Sequence, residues 1–164
     1  MSPSLVEQLA RQGSKPRRGV VGVIVEEGRF LVIRRSPHVR APNLLCFAGG
    51  SIEHGESPEQ AIVRELREEL TLDITPVEKI WKSCTQWGTQ LEWVLADRAP
   101  DSHPQANPAE VAEWMWMTGA ELLAHPMLLP SVPAFFRSWA IGEFQLPARA
   151  GRPDPAWKSL VVPQ

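Results

Sequence analysis

The stretch Gly49–Leu72, GGSIEHGESPEQAIVRELREELTL, decides how the rest of the chain is read. Its first part, Gly49–Glu56, has three glycines and acidic side chains and reads as a loop. Its second part, Ser57–Leu70, reads as a helix. Ser57 is a strong N-cap, Pro58 suits the first helical position, and Gln60 follows the cap by three residues. Ala61, Ile62, Leu66 and Leu70 make an apolar stripe at helical spacing.

The carboxylates set this helix apart. Glu65 and Glu69 are one turn apart, and Glu68 lies three residues after Glu65. At about 100° per residue the three fall within about a third of the helix circumference. Glu56, just upstream, can fold back to the same side. Like charges at this spacing repel, and they sit toward the negative end of the helix. A hard divalent cation with a preference for oxygen ligands resolves that conflict. A solvated acidic face, balanced by Arg64 and Arg67, is the plainer account of an ELREEL segment taken alone.

Taken with its glycines, the stretch resembles the Nudix signature. Gly50 is followed after five residues by Glu56, and after seven more by Arg64-Glu65-Leu66-Arg67-Glu68-Glu69, then Leu70, Thr71 and Leu72. Only Thr71 departs, standing where the family usually has glycine. A left-handed helix cap suits a β-branched residue poorly, so the departure bears on how the helix ends and not on oxygen ligands. The resemblance implies an α/β/α sandwich with a mixed central sheet. It also implies Mg²⁺-dependent hydrolysis, with Mn²⁺ as a substitute, of a diphosphate linkage by water attack on phosphorus. The expected substrate is a small nucleoside diphosphate derivative, such as a nucleoside triphosphate or a nucleotide sugar. By the same resemblance Glu65, Glu68, Glu69 and Arg64 are the catalytic set. Glu56, Glu65, Glu68 and Glu69 hold metal, Arg64 orients a glutamate, and Gly49 and Gly50 shape the phosphate approach.

Composition agrees with a globular domain. The 164 residues suffice for one core, and 43% hydrophobic with 22% charged residues is ordinary for such a fold. A net charge of −2 gives no reason to expect nucleic-acid binding. No apolar run is long enough to span a membrane, and the N-terminal sequence lacks a signal-peptide apolar core. Cys46 and Cys84 are too few for a disulfide framework and read as reduced thiols. These features lead to the expectation of a cytoplasmic protein. A homodimer is compatible with the sequence but not required by it.

Working outward, residues 1–17 read as a flexible or short helical segment, with a helix around Leu5–Arg11. The Nudix domain is expected over 18–142 and an irregular, Pro- and Arg-containing tail over 143–164, lying over the domain or exchanged with a partner. Gly19–Glu26 and Arg29–Arg35 form a hairpin across Glu27-Gly28. Leu45–Ala48 is a short strand, and Ile74–Gln86 and Thr89–Arg98 pair around Trp87-Gly88. Glu110–Met117 is a strand, Thr118 to Glu121 a capping box, and Val132–Ile141 a helix ending at Gly142.

Substrate contacts fall to the loops 36–44 and 99–109 and the strands. Arg34, Arg35 and Arg40 are candidates to hold phosphate, against solvated arginines as the plain alternative. Trp87, Trp114 and Trp116 are candidates to stack on a base, against a core role. The general base is left open between Glu68 or Glu69 and the later Glu110 or Glu113. Two other functions fit the resemblance. One is a Nudix-fold nucleotide-binding or regulatory module without turnover. The other is an isopentenyl-diphosphate-isomerase-like enzyme, for which Cys46 would be the catalytic thiol.

Overall fold

The computed structural model describes residues 17–162, so the expected helix around Leu5–Arg11 lies outside the described residues. The hairpin at Glu27-Gly28 forms as the sequence predicts, because both turn residues take positive φ, 50° and 75°, the pattern of a tight two-residue connection. The strand before it does not run unbroken. It divides into β1 (Arg18–Val23) and β2 (Val25–Glu26), which join different sheets. Only β2 pairs with β3 (Arg29–Arg35), while β1 lies parallel to β7 (Gln90–Arg98). An apolar run such as GVVGVIVE has no local signal for a change of partner; the change is made by contacts more than 60 residues away.

Two further segments complete the first sheet, in the order β5-β1-β7-β6, with β5 (Gly49–Ser51) and β6 (Ile74–Cys84) antiparallel to their neighbours. This sheet is therefore mixed. In the second sheet β3 is central. It pairs with β2 and β4 (Leu45–Cys46) on one edge and with β8 (Val111–Met117) on the other.

Gly49–Ser51 is thus strand, where the sequence reads as loop. Neither Gly49 nor Gly50 has positive φ, so they are not there to make a turn. A Cβ on Gly49 would run into the Val20 carbonyl of β1, so close strand approach demands this glycine.

Helix α1 (Pro58–Leu70) lies on one side of the first sheet, close enough to β1 that a Cβ on Gly22 would meet Ile62 at 3.0 Å. Helices α2 (Gly119–Leu123) and α3 (Ser131–Ala140) follow β8. On the other side of the first sheet Phe135 of α3 stacks on Trp93 of β7, ring centroids 5.1 Å apart. Trp93 and Val94 are adjacent in β7 and both fully buried, which requires cover on both faces. The architecture is the α/β/α sandwich.

At Thr118 only half of the expected capping box forms. Its hydroxyl accepts the Glu121 N–H, but the Glu121 carboxylate turns away to Arg29. The described part of the tail lies over its own domain. Trp157 packs edge-on against Phe136 at 5.1 Å, and Phe144 and Ala150 are buried.

Candidate active site

Ser57 and Gln60 start α1 by a reciprocal pair of hydrogen bonds. Gln60 N–H donates to the Ser57 hydroxyl at 3.1 Å, and Ser57 N–H to the Gln60 side chain at 2.9 Å. From that start the phase of the helix is set. Ala61, Ile62, Leu66 and Leu70 are fully buried, and Glu65 and Glu69 sit beside them at 8% and 7% exposure. Glu68 lies on the exposed side of the helix.

Glu65 explains the second glycine. A Cβ on Gly50 would collide with all three carboxyl-group atoms of Glu65, so the carboxylate rests against the bare backbone of β5. The close approach that this glycine permits is to the protein's own acid.

Arg64 organises the upstream acids. Its Nε and Nη2 donate to the two carboxylate oxygens of Glu56, each at 2.8 Å, a bidentate pair. Nη2 also donates to the Ser51 carbonyl at 2.8 Å, and Nη1 to Glu65 at 3.0 Å and Glu68 at 3.2 Å. The guanidinium and the Glu53 N–H together hold the Glu56 carboxyl down at about 2. Glu56 therefore meets Arg64 with both oxygens, and Glu68 meets it from the next turn.

Glu69 has the opposite surroundings. Burial, with the negative charges of Glu65 and Glu110, pushes its carboxyl up to about 8. A hydrogen bond from the Gly49 backbone and the charge of Arg35 oppose that rise without cancelling it. Its Oε2 is buried and has no hydrogen-bond partner. The Glu65 carboxyl is also raised, chiefly by burial, against the pull of Arg64.

Glu110 closes the cluster. It occupies the turn just before β8, one residue short of the strand, and is more open to solvent than the two helix acids. One oxygen from each of Glu65, Glu69 and Glu110 lies within 4.8 Å of the others. Three hard oxygen donors at this separation, one of them an orphaned buried oxygen, fit a divalent cation that favours carboxylates. The sequence singled out the helix acids by spacing, but it held Glu110 and Glu113 equal. The fold separates them: Glu113 faces Arg34 across the β3–β8 pair and takes its Nε at 2.8 Å.

The remaining candidates scatter. Arg35 reaches Cys46 and lies within range of the Glu69 charge, and its Nε donates to the Arg40 carbonyl at 2.8 Å, tying the 36–44 loop to the strand end. The Arg40 side chain is on an exposed residue of that loop. Trp114 and Trp116 pair with Ile33 and Leu31, so they lie on the sheet face of Cys46. Trp114 is 37% exposed there. Trp87 is exposed at the far β6–β7 turn. Cys46 is buried at 3% exposure, and that burial pushes its thiol up to about 11. An open groove of about 660 Å³ runs along the outer side of α1, lined by Glu59, Val63, Arg67 and Pro76 among others. It contains none of Glu65, Glu69 and Glu110, so this groove and the acid cluster are on different sides of the helix.

Two of the three acids stand on the helix of the signature, and the family model of the NUDIX domain matches residues 14–137. The chain belongs to the Nudix family. This Nudix protein is 31% identical to the CTP pyrophosphohydrolase of Escherichia coli K12 over 114 residues, 70% of this chain and 84% of that protein. It is 37% identical to the 8-oxo-dGTP diphosphatase of the same organism over 105 residues, 60% of this chain and 79% of that protein. Among solved structures, a Nudix hydrolase from Nitrosomonas europaea superposes with a TM-score of 0.59 at 23% identity, over 79% of this chain and 92% of that one. The Nudix chain is a pyrophosphohydrolase, and its general activity is hydrolysis of a nucleotide diphosphate linkage. Among the described residues no helix is long and apolar enough to cross a membrane.

Proposed function

We propose that this enzyme hydrolyses a nucleoside triphosphate to the monophosphate and diphosphate, with Mg²⁺ held by Glu65, Glu69 and Glu110. The observation that carries this reading is the orphaned Oε2 of Glu69 inside a cluster of three carboxylates. Such a cluster costs the fold repulsion and desolvation unless a cation answers it. When bound, the ion supplies charge neutralisation at phosphate oxygens and acidifies water. The choice of a nucleoside triphosphate rests on the names of the two E. coli relatives.

The chain's own groups divide the remaining work. Arg64 fixes Glu65 from one side while Gly50 leaves room for it on the other. Glu56 holds Arg64 in place by the bidentate pair. Glu110 has one oxygen for the ion and a second free to take the proton of the attacking water, since Glu68 and Glu113 are engaged by arginines. Oxygen–phosphorus bond formation and loss of the bridging oxygen then leave one proton on that carboxylate. Arg35 and Arg40 carry the positive charge nearest the strand end, for phosphate, and Trp114 offers an aromatic face.

The test is turnover of a nucleoside triphosphate panel, beside nucleotide sugars, with Mg²⁺ and with EDTA. Release of a nucleoside monophosphate should require the metal and fall at least about tenfold in Glu69→Gln and in Glu110→Gln. Metal-independent release, or wild-type rates in both variants, would overturn the reading.

A further inference from the structure

Glu110 comes from a loop with Pro104 and Pro108, 41 residues beyond Glu69, and its carbonyl accepts the Ser36 N–H at 3.0 Å beside the β3–β8 pair. Its charge is repelled by the two helix carboxylates it joins. On the helix side two residues fasten its loop, Gln105, whose N–H donates to the Leu70 carbonyl at 2.7 Å, and Asn107. Asn107 makes the connection in both directions. Its N–H donates to the Glu69 carbonyl at 2.8 Å, and its Nδ2 to the Glu68 carbonyl at 3.3 Å. These carbonyls belong to the last turn of α1, where the helix has no donors of its own. Toward the loop, its Oδ1 accepts the Ala109 N–H at 3.2 Å, a local turn closed by the side chain. Its carbonyl accepts the N–H of Glu110 at 3.0 Å and of Val111 at 2.8 Å.

We propose that Asn107 is a positioning residue: it clamps the turn bearing Glu110 onto the helix end bearing Glu69, and so sets the third oxygen of the metal site. The proposal rests on the reading that Glu65, Glu69 and Glu110 hold the ion. An asparagine is required because the position needs a donor toward the helix and an acceptor toward Ala109 from one short side chain. Alanine supplies neither. Serine keeps an acceptor for the turn but does not reach the helix carbonyl.

Mn²⁺ is the probe, with free ion read by electron paramagnetic resonance on the full-length protein, without substrate. Asn107→Ala and Asn107→Ser should each weaken Mn²⁺ binding about tenfold, as loss of a residue behind a ligand does. In a Glu110→Gln background the same substitutions should cost less than twofold, because the ligand through which they act is already gone. A destabilised fold alone would weaken binding equally in both backgrounds, and that result overturns the proposal. So does Mn²⁺ binding within twofold of wild type in both variants. The serine variant retains the turn bond and serves where the alanine variant fails to fold. Glu69→Gln runs beside them. If it binds Mn²⁺ as wild type does, the carboxylate site itself is wrong and the proposal falls with it. If it loses the ion while the Asn107 variants keep it, the clamp alone is wrong.

Discussion

Glu69→Gln should stabilise the metal-free protein and abolish its stabilisation by metal. The carboxyl at 7% exposure ionises only near 8, against an ordinary 4.5. Because the folded value is raised, the native state keeps a proton that the unfolded chain releases. Wild-type stability without metal therefore falls as pH rises from about 4.5 through about 8, and levels off above. At pH 7 about 2.5 pH units of that interval have been crossed, and at about 1.4 kcal/mol each the penalty is on the order of 3 kcal/mol. The amide removes the charge, and its NH₂ can donate to the neighbouring Glu65 or Glu110. Some of the gain is lost to imperfect geometry, leaving roughly 1–3 kcal/mol. For a chain of this size that is a rise in Tm on the order of 5 °C. Differential scanning calorimetry in EDTA from pH 5 to 9 measures it. The gap between variant and wild type should open through that range and close toward pH 5. Saturating Mn²⁺ should then raise wild type above the variant, reversing the order. A variant less stable than wild type in EDTA at pH 8, or a gap independent of pH, would refute the account of Glu69 as a desolvated acid awaiting a cation.

Two other substitutions probe the signature's glycine positions. Gly50→Ala forces a methyl into the Glu65 carboxylate; it should cost about 1–3 kcal/mol and weaken Mn²⁺ binding, and unchanged affinity in titration would count against the packing argument. Thr71→Gly acts in the other direction. Thr71 closes α1 in the left-handed region, φ 51° and ψ 33°, at a cost of about 1–2 kcal/mol for a residue with a Cβ. Glycine gives back about 0.5–1 kcal/mol in chain entropy, so the net gain should be about 0.5–1 kcal/mol by urea denaturation. A loss of stability would mean that the Thr71 side chain makes a contribution the backbone angles do not show.

Much of the local structure was legible in the residues alone, since local structure depends on neighbours in sequence. Ser57, Pro58 and Gln60 start the helix as their chemistry requires; the left-handed cap at Thr71 was not legible, since a β-branched residue suits that conformation poorly, yet the structure adopts it. The spacing of Glu65, Glu68 and Glu69 also gave the acidic helix, because positions three and four apart share a face. It did not tell which of the three would be buried. Glu65 and Glu69 flank the apolar stripe and go inward with it; Glu68 is one position further round and meets Arg64 in the open. The glycines were legible as sites of close approach, but what approaches Gly50 is Glu65, fifteen residues on, brought there by the packing of α1 against β5. The break between β1 and β2 was invisible for the same reason, as β7 and β3 claim adjacent parts of one apolar run.

The sequence by itself therefore determined the helix, its N-cap, the periodicity of its acids and the turn at Glu27-Gly28, each from residues close to one another in the chain. Only the tertiary structure shows that Glu110, and not Glu113, lies beside Glu65 and Glu69. The two are three residues apart, with the same side chain and similar neighbours. β8 places Glu113 beside Arg34, while the turn secured through Asn107 brings Glu110 to Glu69. A site that joins groups 41 residues apart depends on where the chain returns, and that is fixed by burial of the core and by hydrogen bonds between distant backbones, which no local spacing records.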